Sequence, residues 1–343
     1  MRMIPRDRRD RLGEGPIWSP SEQALFWVDI LGKKLNRLRP SDDSVTCWDL
    51  PTPTGWVIER RSAPGFIAGT KDGIATLTLD PLVVTLLAAP EPDLPQHRLN
   101  DAKADAAGRL YFGTMPMACD TPTGSLYRYD PDGRLTRLDS GYSVANGPAI
   151  SADGGTLFHT DSVAGRIYRF AVRADGSLGP RALFRQFSSD EGSPDGMTFD
   201  NEGGLWVACW GAGRVVRLRP DAMIDQIITL PASQTSSVSF AGERLDRMFV
   251  TSASEGVDEG EGQQAGGRMA PMIQLGSLAL ILWQAVELSI GQTWNIGAAE
   301  AAADKVRLSS QRRRNATFEQ GGQGLNMRLS DIVDVAARKR EAG

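Results

Sequence analysis

The sequence predicts an all-β fold, a six-bladed β-propeller, on three observations. A strand–turn–strand unit recurs six times. Its copies start at residues 14, 55, 100, 146, 195 and 237, spaced by roughly 40–50 residues, which is the length of a propeller blade. Most copies are followed by a third run that alternates apolar and polar residues, as a half-buried strand does. A solenoid would carry terminal caps, and no segment here reads as one.

The clearest unit is SPDGMTF at Ser193–Phe199, a turn at Asp200–Gly204, and a second apolar run at Leu205–Trp210. Glu14 opens EGPIWSPSEQALFWVD, Asn100 opens NDAKADAAGRLYFGT, and Asn146 opens NGPAISADGGTLFHTD. Weaker copies run from Gly55 (GWVIERRSAPGFIAGT) and Ser237 (SVSFAGERLDRMFVTS). Third strands are predicted at Lys34–Leu38, Gly73–Leu79, Ser125–Tyr129, Arg166–Phe170 and Arg214–Leu218. DPDG at Asp130–Gly133 and similar runs are turns; they lack the terminal Glu of a twelve-residue calcium loop.

In a propeller, residues that open the innermost strands converge near the axis at one end. Glu14, Asn100, Asn146 and Asp195 hold equivalent places in four blades, so they are expected to face one another. Two carboxylates and two amide oxygens form a hard, all-oxygen donor set suited to Ca²⁺, Mg²⁺ or Mn²⁺. Each residue alone would be read as a turn former; the shared register favours a site. Arg98 lies two residues before Asn100, on the same side of an extended segment, and is expected to aim its guanidinium at the same opening. A positive fork there suits a hydroxylated or anionic substrate.

Other chemistries are disfavoured. Only His97 and His159 are present, too few for a multi-histidine zinc centre. No GxSxG elbow accompanies them. His159 sits within a strand and reads as structural; His97 could be a rim residue or a structural one. Cys47, Cys119 and Cys209 are widely spaced, without a CxxC, and suggest neither a disulfide framework nor a metal knuckle. At 41% hydrophobic, 23% charged and a net charge of −4, the composition is that of a globular protein with no basic field for nucleic acid. The N-terminus has no apolar stretch of a secretory signal. Expectations are a cytoplasmic location, no membrane or nucleic-acid partner, and a monomer or weak oligomer.

LGEGPIWSPSEQALFWVDILGKKLNRL, HRLNDAKADAAGRLYFGTM, SVANGPAISADGGTLFHTDSVAGRIYRF and SPDGMTFDNEGGLWVACWGAGRVVRL resemble the regucalcin/gluconolactonase family, also known for senescence marker protein and luciferin-regenerating enzyme. The resemblance covers roughly residues 10–255. It implies a six-bladed propeller that hydrolyses a small-molecule sugar lactone with one divalent metal ion (Ca, Zn, Mn or Mg) in the central channel. By motif, it implies Glu14, Asn146 and Asp195 as metal ligands, with Asp195 also the catalytic general base. Arg98 and Asn100 would bind the substrate's hydroxyls, which moves Asn100 from ligand to substrate contact. The chain departs from the family after the GTM segment, where some members carry an acidic substrate contact. Here Met115–Thr121 reads MPMACDT, and Asp120 is left unassigned. A non-enzymatic calcium-binding regulator and an inactive propeller are the competing expectations.

The expected division is a propeller over residues 1–255, its last blade either complete or short of strands, and an atypical tail over 256–343. Residues 254–268 read as a Gly/Glu/Gln-rich linker. Met272–Ile290, Ala298–Arg314 and Leu329–Arg340 have a helical look. The longest unbroken apolar run is short of the ~20 residues that span a bilayer. The tail is expected to be foreign to the propeller, from a frameshift or gene fusion, leaving the last blade with an open edge.

Overall fold

The structure, a computed structural model, describes residues 3–4, 8–257 and the backbone of 270–274. Five antiparallel four-stranded sheets follow one another along the chain. The first contains β1 (Gly13–Ser19), β2 (Ala24–Asp29), β3 (Lys34–Arg39) and β4 (Ser44–Asp49). The second contains β5 (Thr54–Glu59), β6 (Phe66–Thr70), β7 (Gly73–Leu79) and β8 (Leu82–Ala88). The third contains β9 (His97–Ala104), β10 (Leu110–Pro116), β11 (Gly124–Tyr129) and β12 (Leu135–Tyr142). The fourth contains β13 (Ala145–Ile150), β14 (Thr156–Asp161), β15 (Arg166–Ala171) and β16 (Ala182–Gln186). The fifth contains β17 (Ser193–Phe199), β18 (Leu205–Trp210), β19 (Arg214–Leu218) and β20 (Ile224–Thr229).

A last sheet has three strands: β21 (Thr235–Ala241), β22 (Arg247–Ser252) and β23 (Ala270–Gln274). The expectation of six blades is corrected: the described residues form five complete blades, and the last sheet is one strand short. Ala270–Gln274 lies beyond the expected boundary at residue 255, yet pairs with β22, placing Met248 opposite Ile273. Met272–Gln274 is thus strand where a helix was expected. The remaining residues of that segment, and the two later ones expected to be helical, lie outside the described residues.

Strand 1 of each sheet touches strand 1 of the next around a complete ring, so these are the innermost strands. Apolar side chains fill the wedges between neighbouring sheets. Phe26 meets Phe66 edge-on at 4.9 Å between sheets one and two. Trp56 packs with Phe112 between sheets two and three, and Phe112 stacks on Tyr127 at 5.6 Å. Leu25 and Trp27 of the first sheet pack with Ala241 and Phe249 of the last. Ser236 Oγ also donates to Gly13 O at 2.5 Å, and a single bridge pairs Leu12 with Ala253. Ring closure is thus noncovalent and mainly apolar, at roughly 25 cal/mol per Å² of buried apolar surface.

Every innermost strand breaks register near its start. The shifts fall at Glu14/Ile17, Thr54/Trp56, Asn146/Ala149, Pro194/Met197 and Thr235/Ser237, and opposite Phe112/Thr114 in β9. Such bulges re-aim side chains and end the strict alternation of faces.

Candidate active site

The bulges carry the residues singled out from the sequence. Glu14 precedes Gly15, whose φ of 55° favours glycine, and Asn146 precedes Gly147, with φ of 70° and a cis bond to Pro148. At Gly196, after Asp195, a Cβ would come within 2.1 Å of Ser237 Oγ. Only a residue without a side chain lets the fifth and sixth sheets approach so closely at this point.

The structure brings Arg98, Asn100 and Asn146 into one hydrogen-bonded chain. Arg98 Nη1 donates to Asn100 Oδ1 at 2.5 Å and to Leu99 O at 3.2 Å. Asn100 Nδ2 donates to Ala145 O at 2.7 Å and to Asn146 Oδ1. Asn146 Nδ2 in turn donates to Ser162 Oγ at 2.9 Å, and Ser162 Oγ donates to Pro194 O at 2.6 Å. This relay ties the third, fourth and fifth sheets together. It also fixes the Asn146 amide, with Nδ2 towards Ser162 and Oδ1 towards Asn100. Both donor hydrogens of Asn100 are engaged, which suits a positioning or substrate-contacting amide.

Glu14 and Asp195 join the group electrostatically. Burial pushes the Glu14 carboxyl well above the ordinary range, and the charges of Asp195 and then Asp101 add to the rise. Asp195 is raised in the same direction, by burial first and by Asp101 second. Glu14 is 4% exposed, Asp195 5% and Asn146 4%. Asp195 Oδ1 is buried without a hydrogen-bond partner, so one carboxylate oxygen is left for another group. Buried polar atoms without partners are costly. Two buried carboxylates that repel each other beside an amide oxygen are the donor chemistry of a hard divalent cation. Among the described residues no three His, Cys, Asp or Glu side chains cluster to hold an ion by themselves; the set here is two carboxylates and an amide.

Asp101 was missed from the sequence. Strict alternation would turn it away from Asn100, but in β9 both face the single residue Gly113 across the register shift. Its Oδ2 accepts from Gly147 N at 3.1 Å. Burial raises its carboxyl to about 7, opposed by Lys103. The legible signal was its place beside Asn100 at the same position where the other copies carry Glu14, Asn146 and Asp195. Ser162 was also missed, because its role rests on a contact between sheets.

His97 is buried, its Nδ1 2.8 Å from Glu91 Oε2 and its Nε2 2.9 Å from Thr123 Oγ1. It anchors the segment that enters β9. His159 is fully buried, with Tyr142 edge-on at 4.6 Å, and burial lowers its pKa to about 3. The imidazole is neutral and structural.

The family model described as "SMP-30/Gluconolactonase/LRE-like region" matches residues 12–254. The chain belongs to this family. It is 37% identical to the 6-deoxy-6-sulfogluconolactonase of Pseudomonas putida over 245 residues, 71% of this chain and 84% of that protein. It is 35% identical to the regucalcin of Xenopus laevis over 257 residues, 73% of this chain and 85% of the other. An L-arabinolactonase of Azospirillum brasilense is 33% identical, covering 74% of this chain and 91% of its own length. Among solved structures, a luciferin-regenerating enzyme superposes with a TM-score of 0.74 at 29% identity, over 80% of this chain and 95% of that one. A calcium-binding protein, regucalcin, from Agrobacterium tumefaciens strain C58 gives 0.75 at 28%, over 82% and 96%. Among the described residues no helix is long and apolar enough to cross a membrane.

Proposed function

We propose that this family member hydrolyses a sugar lactone with one divalent cation, at the inner end of the bulged strands in the central channel. The observation that carries this reading is the pair of buried, raised carboxylates, Glu14 and Asp195, beside Asn146, with Asp195 Oδ1 unpartnered. Glu14, Asn146 and Asp195 would hold the ion. When bound, it would polarise the lactone carbonyl and stabilise the oxyanion.

Asp195 acts as general base and takes the proton from the attacking water. Water adds to the carbonyl carbon, the ring C–O bond breaks, and an open-chain hydroxy acid leaves. Arg98 and Asn100 orient the substrate's hydroxyls. Ser162 and Asp101 hold the Asn146–Gly147 turn in place. Relatives named for gluconolactones and an arabinolactone support this substrate class. Asp195→Asn and Glu14→Gln should each reduce turnover of D-glucono-1,5-lactone by 100-fold or more, with the fold kept by circular dichroism. Near-normal rates in either variant would remove the proposed site.

The second reading is a calcium-binding regulator without turnover. It is favoured by the all-oxygen donor set and by the regucalcins among the relatives. Metal binding without hydrolysis of any sugar lactone would select it. The same proposal takes the three-stranded last sheet as a sixth blade. It keeps residues 1–255 as the catalytic propeller, with a short strand added from the tail, and places a monomer or weak oligomer in the cytoplasm.

A further inference from the structure

At the channel end one cation, Arg98, lacks a carboxylate paired directly with it among the described residues. Arg98 is buried, the residue 7% exposed, and Glu14, Asp101 and Asp195 act on its charge, yet among the described residues none of them forms an ion pair with its guanidinium. Only Nη1 is bonded, to Leu99 O and Asn100 Oδ1. Among the described residues Nε and Nη2 make no hydrogen bond. Neither is among the buried atoms that lack a partner, so this edge of the guanidinium is open to solvent, and such a fork is matched bidentately by an anion.

The loop beside Arg98 does not supply that anion. Cys119, with φ of 58°, brings its thiol close enough for the two groups to affect each other's ionisation. Its acidic neighbour, Asp120, is exposed and accepts from Thr121 Oγ1 at 3.3 Å. The wider group is three carboxylates against two cations, and turns positive only with a divalent ion bound. Lys103 sits by Asp101 and is the second cation of the group. A divalent ion would neutralise Glu14 and Asp195. That leaves Asp101 against Arg98 and Lys103, one net positive charge.

Resting on the lactonase reading, we infer that the preferred substrate is a sugar lactone bearing an anionic group (sulfonate, phosphate or carboxylate) away from the ring carbonyl. The free Nε–Nη2 edge of Arg98 receives that group, and the neighbouring loop presents the Cys119 thiol to it and not a carboxylate. Binding is selective because a neutral lactone leaves the guanidinium unmatched.

The test compares kcat/KM of the full-length protein for 6-deoxy-6-sulfoglucono-1,5-lactone, 6-phosphoglucono-1,5-lactone and glucaro-1,4-lactone with that for glucono-1,5-lactone. A preference of at least tenfold for one or more of the anionic lactones is expected, and their ranking identifies the group. Arg98→Gln should bring the ratio to about one, and Cys119→Glu should lower it at least tenfold. Equal or better hydrolysis of the neutral lactone would overturn the inference while leaving the lactonase reading intact. If no lactone turns over, that reading fails, and calorimetry on the protein supplied with Mn²⁺ still decides. Sorbitol 6-phosphate binding at least tenfold tighter than sorbitol, and losing the advantage in Arg98→Gln, supports the anion site; equal affinities overturn it.

Discussion

Replacing Asp101 with Asn should stabilise the metal-free protein, and more so as pH rises. Burial raises the Asp101 carboxyl to about 7, against about 3.9 in an unfolded chain. Below about pH 4 the group is protonated in both states and contributes no pH dependence. Between about 4 and 7 the unfolded chain ionises first, so the native state binds more protons and stability falls as pH rises. Above about 7 the difference is constant. A gap of about three pH units, at about 1.36 kcal/mol each, sets an upper limit of about 4 kcal/mol. Asn keeps the shape, and its Oδ1 can still accept from Gly147 N. The assay is urea unfolding of chelator-treated protein, followed by tryptophan fluorescence at pH 5, 6, 7 and 8. The advantage of Asp101→Asn should be about 1.5 kcal/mol at pH 5 and approach its limit by pH 8. An advantage independent of pH, or a loss of stability at pH 8, would refute the burial argument.

His159→Phe should act at the opposite end of the pH range. The native imidazole has its pKa lowered to about 3, so stability is lost as pH falls from about 6.5 towards 3, where only the unfolded chain takes up the proton. At pH 5 the substitution should raise stability by about 2 kcal/mol relative to its effect at pH 8, read from the same urea titrations. Gly196→Ala places a Cβ 2.1 Å from Ser237 Oγ and 2.8 Å from Ser237 Cα. Its expected cost is about 1–3 kcal/mol, at about 2–4 °C of Tm for each, in differential scanning calorimetry. Glu14→Gln should weaken Mn²⁺ binding by more than the roughly 10- to 100-fold that follows loss of a supporting contact. It should also lessen the loss of metal-free stability as pH rises above about 4, because its own raised carboxyl is gone.

The ease of reading the chain followed burial. Strands with one dry face were legible: the predicted third strands at Gly73–Leu79 and Arg214–Leu218 match β7 and β19 in full. The outermost strands were not read. β8, LVVTLLA, leaves most of its residues exposed, and β20 and β16 are similarly wet. Without a buried face there is no alternation to detect. The site divides on the same physics. Glu14, Asn146 and Asp195 were singled out because they recur at one register of the repeat. Arg98 was aimed correctly by parity because it lies before the bulge. Asp101 was lost because the bulge cancels parity at that residue. Ser162 was lost because a serine in the turn just after Asp161 gives no sign, in sequence, of reaching the fifth sheet. The strand Ala270–Gln274 was hidden by its setting, a short segment at the head of a longer apolar run.

The most direct test of the account is acid release from D-glucono-1,5-lactone and its anionic forms by the full-length protein. The protein is stripped of metal and then given Mn²⁺, Zn²⁺, Mg²⁺ or Ca²⁺ in turn. The account predicts no turnover above the spontaneous rate without metal, restoration by at least one ion, and no restoration in Asp195→Asn. Full activity in the stripped protein, or none with any ion on any of these lactones, would contradict it.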